Sequence, residues 1–305
     1  MRVAITGARG RLGRALVEAF SAPPGDHAEA PEHPWEVVST WSRPDYDLDD
    51  LKAADRLVRR DRPEVIVHAA AWTDVDGCAR HPDLAKRRNT DATEALARAC
   101  LGAGSRLVLI STNEVFDGRR ADGRGYTPDD RVGPLNAYGD SKLAGERAAR
   151  DAFNRASHRE QLAIIRTAWL YGPPGDDFPT KILAAAERAS RTHEPLRVVS
   201  DEIGSPTFAP DLARAIAGLL ANGRASGVLH VVNAGAVSRA DWAREILRQA
   251  GVDEDVEDIA SRAWPRASTP PAWAVLASDV PLRPWSVALA EYLATFRQAA
   301  APAAG

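Results

Sequence analysis

The chain has 305 residues, 45% of them apolar and 27% charged, an ordinary mixture for a folded protein of one large domain or two modest ones. With 39 basic against 42 acidic residues the net charge is −3, which argues against nucleic acid or an anionic membrane as the main partner. Cys78 and Cys100 are too few and too unpatterned for a disulfide framework or a zinc site. The sequence carries neither a signal peptide nor an apolar run of about 18 residues, so a cytoplasmic globular protein is expected.

In chain order, short β-rich apolar runs alternate with helix-like stretches. VAI (3–5) leads into the helical RLGRALVEAF (11–20). EVVS (36–39), after a loop rich in Pro, Gly and His, precedes a helix predicted over 47–60. EVIVHAA (64–70) precedes a helix over 90–104, where Ala95 or Leu96 recurs with Ala99 and Cys100 on one face. RLVLIS (106–111), a helix over 140–153 and LAIIRT (162–167) follow. These strand runs lack polar alternation, as strands buried on both faces do. The pattern predicts an α/β fold, a doubly wound parallel sheet of the Rossmann type.

Past residue 170 the rhythm changes. YGPPGDDF (171–178) is a cluster of helix breakers. Then come a helix over 179–190, the short strand LRVVS, helices over 210–223 and 239–252, a proline-rich irregular stretch and a last helix over 286–298. The expected organisation is a cofactor-binding domain of residues 1–170, with segments near 205–233 packing back on it. A smaller substrate-binding lobe of 171–298 and a frayed tail of 299–305 complete it.

Gly7, Gly10 and Gly13 stand at a strand-to-helix turn with G-x-x-G-x-x-G spacing. Glycines there allow positive φ, let the backbone approach a pyrophosphate and leave helix N-terminal N–H groups to hold it. The plain alternative is a tight turn with no ligand; the position, after VAI and opening an amphipathic helix, favours a dinucleotide. Where the second strand ends, an acidic residue would select NAD through the ribose hydroxyls. The stretch reads VVSTWSRP instead, and Ser39, Thr40, Ser42 and Arg43, with Arg9 in the glycine turn, suit a 2′-phosphate. NADPH is therefore favoured, with NADH as the alternative. Asp47 could reach the adenine amino group or cap the helix that follows.

Tyr138 and Lys142 sit four residues apart, on one helix face. Free Tyr and Lys have pKa values near 10, so a neighbouring ammonium and an oxidised nicotinamide are expected to lower the phenol into a working range. Such a phenol can give a proton to a ketone oxygen as hydride reaches carbon. Thr112, closing RLVLIST at the carboxyl edge of the sheet, is placed to orient that oxygen. The pair alone is common by chance, as an aromatic residue beside a solvated lysine. The glycine-rich start and the Ser111-Thr112 strand end, about 26 residues upstream of Tyr138, make it a candidate site.

These motifs resemble those of the extended short-chain dehydrogenase/reductase superfamily, and within it the dTDP-4-dehydrorhamnose reductase family. The likeness spans most of the chain, through ITGARGRLG, RPEVIVHAAAWTDVD, STNEVFDG, PLNAYGDSKLAGE, IIRTAWLYG and DEIGSPTFAPDLARAI. It implies NADPH-dependent reduction of the C4 ketone of a nucleotide-linked 4-keto-6-deoxy sugar by a monomer or homodimer. Gly10, Arg11 and Leu12 would line the pyrophosphate turn, Asp47 and Leu48 would flank the adenine, and Ala71, Trp72 and Thr73 would run along the cofactor. Thr112, Tyr138 and Lys142 would be the catalytic set, with Asn113, Glu114 and Trp169 against the sugar. Trp169 also reads as plain core packing. Asn113 and Glu114 depart from the family's usual Asp-Tyr pair, which bears on which sugar is recognised. Arg14 and Ala15 replace acidic residues that hold a magnesium ion in some relatives, so no metal site is expected. Alternatives are another nucleotide-sugar ketoreductase, a non-catalytic NADP-binding regulatory subunit of a methionine adenosyltransferase, and an epimerase or dehydratase on the same fold.

Overall fold

The computed structural model describes residues 1–22 and 35–300; the loop before the second strand and most of the expected tail, 301–305, lie outside them. The first part of the chain builds β1 (Arg2–Thr6), α1 (Arg11–Ser21), β2 (Glu36–Trp41), α2 (Ala53–Asp61) and β3 (Val65–His68). Next come α3 (Val75–Arg80), α4 (Pro82–Ala85), a π-helical turn (Lys86–Asp91), α5 (Ala92–Ala103), β4 (Arg106–Thr112), α6 (Ala137–Arg155) and β5 (Leu162–Thr167). There follow β6 (Leu170–Tyr171), α7 (Phe178–Thr192), β7 (Leu196–Val199), β8 (Ile203–Gly204), β9 (Thr207–Phe208), α8 (Ala209–Ala221) and β10 (Gly227–His230). The chain ends with β11 (Val237–Ser238), α9 (Arg239–Ala250), β12 (Val256–Ile259), β13 (Trp273–Ala274) and α10 (Trp285–Ala300).

Six strands lie side by side in the order β10-β5-β4-β3-β1-β2, every pair parallel. Both faces are covered, as the unbroken apolar runs require. Val3, Ile5, Val65, Val67, Val108 and Ile165 pack with α1 and α8 on one face. Their chain neighbours Ala4, Ile66, Leu107, Leu109 and Ile164 pack with α2, α5 and α6 on the other. Strand order reverses between β1 and β3, and ligands of open α/β sheets bind in the crevice beyond that point. Polar residues end the strands there: Thr6 pairs in register with His68, and Thr112 with Thr167.

Two expectations need correction. The helix predicted over 47–60 begins only at Ala53, because Asp47 and Asp50 spend their carboxylates on local turns. Asp49 N–H donates to Asp47 Oδ1 at 3.0 Å and Lys52 N–H to Asp50 Oδ1 at 3.0 Å. Asp47 is therefore no helix cap. The sixth strand, β10, was not expected from its four residues GVLH, which carry almost no periodicity; pairing with β5 makes it a strand.

Beyond β5 a separate aromatic-rich cluster gathers Tyr171, Trp242 and Tyr292 with residues of α7, α9 and α10. Asp177 anchors it. Its buried carboxylate caps α7 by accepting from Thr180 N–H at 3.1 Å, and also accepts from Gly172 N–H at 2.9 Å and the Tyr292 hydroxyl at 2.8 Å. Among the described residues no helix is long and apolar enough to cross a membrane. Asp177→Ala leaves three donors without an acceptor and should lower the unfolding free energy by about 3 kcal/mol in a urea titration. A loss under about 0.5 kcal/mol would show that the cap does not anchor this part of the chain.

Candidate active site

A cleft of about 770 Å³ opens along the carboxyl edge of the sheet. Its walls follow the strands in turn. Gly7, Gly10, Arg11, Leu12 and Gly13 come after β1; Arg43, Asp47 and Leu48 after β2; Ala71, Trp72 and Thr73 after β3. Thr112, Asn113 and Glu114 come at and after the end of β4, Tyr138 and Lys142 from the start of α6, and Trp169 after β5. All the residues singled out in these segments thus share one cavity.

The glycine turn is tight in the way a pyrophosphate site needs. Gly7 has φ +65°, and a Cβ there would lie 2.9 Å from the Ala70 backbone; a Cβ on Gly13 would lie 2.1 Å from Gly7 O. Arg11 differs from expectation. Its guanidinium is committed to carbonyls of the loop after β6, donating to Gly172 O at 3.2 Å, Gly175 O at 2.9 Å and Asp176 O at 3.0 Å. Only its backbone is left for the turn, and its side chain ties α1 to the loop leading into α7. Near β2, Arg9, Ser42 and Arg43 face the cleft. Ser39 does not: its hydroxyl donates to Asp61, which also takes the Trp41 indole N–H at 2.7 Å.

Several cleft residues escaped sequence reasoning. Arg88, on the π-helical turn, lies 5.3 Å from the Trp72 ring centroid and pairs with Asp49 at 2.6 Å, joining two walls of the cavity. Asn89 beside it grips the Trp72 backbone, accepting from its N–H at 2.8 Å and donating to its carbonyl at 3.0 Å. A π turn has no clear sequence signature, although such turns cluster at functional sites. Tyr46 also lines the cleft, its ring edge-on to His68.

The helix carrying Tyr138 and Lys142 starts at Asn136, whose Oδ1 accepts from Gly139 N–H at 2.9 Å. Lys142 is 5% exposed and donates from Nζ to Ile110 O at 2.8 Å. Burial lowers its pKa to about 8, with the Glu146 carboxylate pulling the other way. Without a nicotinamide charge beside it, the phenol of Tyr138 is shifted upward. Burial raises its pKa, the Glu114 carboxylate adds to the rise, and the Thr112 hydroxyl beside it acts against it. In the chain by itself Tyr138 thus keeps its proton, because a buried phenolate is costly. Beneath them His68 is neutral: burial and the nearby Lys142 lower its pKa to about 3. Thr93 Oγ1 donates to Asn89 O at 2.8 Å and so meets His68 Nε2, 3.4 Å away, as an acceptor; the ring proton is then on Nε2, and Nδ1 accepts from the Thr6 hydroxyl at 2.8 Å.

At the Glu114 end, burial raises that carboxyl's pKa while the Asn136 amide, 2.6 Å from Oε2, opposes the rise. Trp169 stands both at the cleft and in the core packing. It lines the cleft, and it stacks on Trp242 with centroids 5.7 Å apart under the Arg239 guanidinium at 4.0 Å. Asn113 Nδ2 and Thr167 Oγ1 are buried in residues that line the cleft and have no hydrogen-bond partner among the described residues. Such groups are costly unless a ligand completes them. Among the described residues no three His, Cys, Asp or Glu side chains converge to hold a metal ion.

The family described as RmlD substrate binding domain matches residues 1–298. A dTDP-4-dehydrorhamnose reductase of Mycobacterium tuberculosis is 36% identical over 304 residues, covering 96% of this chain and 92% of that protein. The crystal structure of a dTDP-4-dehydrorhamnose reductase from Clostridium acetobutylicum superposes with a TM-score of 0.84 at 32% identity, over 97% of this chain and 100% of that one. Another from Bacillus anthracis, solved in complex with NADP, gives 0.82 at 29% identity, over 96% and 99%. Lysine NMR of the ligand-free protein should show Lys142 titrating near pH 8; a midpoint at the ordinary lysine value of about 10.4 would contradict the burial of its ammonium.

Proposed function

The chain belongs to the RmlD substrate binding domain family, and from that membership we propose that it reduces the C4 ketone of a nucleotide-linked 4-keto-6-deoxy sugar with NADPH. The substrate is dTDP-4-dehydro-L-rhamnose and the product dTDP-L-rhamnose. One observation carries the reading: the phenol of Tyr138, the ammonium of Lys142 and the hydroxyl of Thr112 line the same cleft as the glycine turn. Residues 1–170, with the segments near 205–233 that pack back on them, form the cofactor domain, and the remainder of 171–298 forms the substrate lobe. The working unit is a monomer or a homodimer. Both reactants are charged, water-soluble nucleotides, which supports a cytoplasmic enzyme.

The cleft suits a dinucleotide. Gly7 and Gly13 have no room for a side chain, N–H groups at the start of α1 follow the turn, and Arg9 and Arg43 bring positive charge where a 2′-phosphate would lie. The NADP found with the Bacillus anthracis relative supports the same choice. When bound, the cofactor supplies the hydride that reduces C4.

This chain's residues supply the proton and the alignment. Thr112 orients the ketone oxygen with its hydroxyl, whose position is set by accepting from Glu114 N–H at 3.2 Å. Tyr138 gives its phenolic proton to that oxygen as negative charge develops on it. The raised pKa of the phenol supports the donor role, since the proton is present at neutral pH. Lys142 stabilises the phenolate left behind and fixes the nicotinamide ribose. Asn113 and Glu114 hold sugar hydroxyls, and Trp169 packs on the ring.

With dTDP-4-dehydro-L-rhamnose and NADPH the protein should consume cofactor stoichiometrically, and Tyr138→Phe should lose at least about 100-fold in kcat. No turnover of any 4-keto-6-deoxy sugar nucleotide would overturn the reading. Replacing Arg9 and Arg43 together by alanine should raise KM for NADPH by about 10-fold or more and leave KM for NADH unchanged. Equal effects on both cofactors would remove these arginines from 2′-phosphate recognition.

A further inference from the structure

Tyr138, Lys142 and Glu146 stand at four-residue steps along α6, so one helix face carries a phenol, an ammonium and a carboxylate in a row. The third member does not line the cleft. The side chains of Glu146 and Arg166 are 1% and 3% exposed and pair through two contacts, Nη2 to Oε2 at 2.7 Å and Nε to Oε1 at 3.0 Å. The Ser111 hydroxyl donates to the same Oε1. Ser111 and Arg166 face each other in register across β4 and β5. One carboxylate thus fastens two adjacent strand ends whose next residues, Thr112 and Thr167, line the cleft. Just before Ser111, the Ile110 carbonyl receives Lys142 Nζ at 2.8 Å.

We propose that Glu146 is a positioning residue for the reaction: its buried carboxylate keeps Lys142 an ammonium and holds the end of β4 beneath it. The proposal rests on the ketoreductase reading for its catalytic meaning. A lysine with so little access to water tends to lose its proton, and a neutral amine cannot stabilise a phenolate. The titratable residues on the elements around Lys142 that are buried or line the cleft include His68 on β3, Cys78 on α3, Arg88 on the π-helical turn, Glu114 after β4, Arg166 on β5, and Tyr138 and Glu146 on its own helix. His68 is neutral and the Cys78 thiol is pushed up to about 11, so neither supplies negative charge at neutral pH. Arg88 is engaged by Asp49, and Arg166 is a second cation drawing on the same carboxylate. Glu146 is the acid whose charge acts on Lys142. The rival account is a purely structural ion pair that locks α6 to the sheet and leaves Lys142 unaffected.

The sequence contains four lysines, Lys52, Lys86, Lys142 and Lys181, so the Lys142 signal of protein carrying ¹³Cε-lysine can be assigned by comparison with Lys142→Arg. In Glu146→Gln the titration midpoint of Lys142 should fall by about one pH unit. The alkaline limb of kcat/KM should move down with it, since the rate is lost as the ammonium deprotonates. Glu146→Gln strands the Arg166 guanidinium, so stability falls too. The double variant Glu146→Gln/Arg166→Met removes both charges and should regain thermal stability while its Lys142 midpoint stays below that of the parent. A midpoint unchanged in both variants, or one that returns with stability in the double variant, would overturn the proposal. The titration is read without substrate: a protein that reduces no keto sugar yet shows the shift would refute the functional reading and leave the Glu146–Lys142 coupling standing.

Discussion

How closely α6 begins against the end of β4 governs the site. A Cβ on Gly139 would lie 2.2 Å from Glu114 O, so any other residue there would push the helix off the strand. Asn136 closes the joint. Its Oδ1 caps the helix, and its Nδ2 donates to Glu114 Oε2 at 2.6 Å and to Thr269 O at 3.0 Å. The Thr112 hydroxyl accepts from Glu114 N–H across the same corner. A few short bonds therefore fix Thr112 relative to Tyr138, two groups 26 residues apart in sequence. Proton transfer depends on positions held this tightly.

Burial sets the electrostatics of that corner. It raises the phenol of Tyr138 and lowers the ammonium of Lys142 to about 8, so proton donor and cation are both present at neutral pH. A protonated phenol beside the ketone oxygen suits reduction. The arrangement extends away from the chemistry as well. Arg11 joins the glycine turn to the loop after β6, and Asp177 at the end of that loop fastens α7 to Tyr292 in α10. The nucleotide end of the cleft and the C-terminal helices are thereby mechanically connected.

Much of this could be read from the chain because the signals were local. Runs such as VAI, RLVLIS and LAIIRT name buried parallel strands through composition alone, and the glycine spacing and the Tyr138–Lys142 step lie within single elements. What was missed depends on distant partners. The late start of α2 follows from Asp47 and Asp50 competing for nearby N–H groups. β10 exists because β5 offers it an edge, and Arg88, Asn89 and Arg166 became interpretable only once the fold had placed them. The upward shift of Tyr138 in the chain by itself was not legible either, because sequence shows which charges are near a residue in the chain but not how much water surrounds it.

The central claim is that this cleft delivers hydride to C4 of the sugar while Tyr138 protonates the oxygen. The most direct measurement uses NADPH deuterated at the transferring position of the nicotinamide, prepared with the label on each face in turn, with NMR of the sugar product. The account predicts deuterium on sugar C4 from one labelled form only. Product without deuterium from both forms, or cofactor oxidation with no reduced sugar, would contradict it.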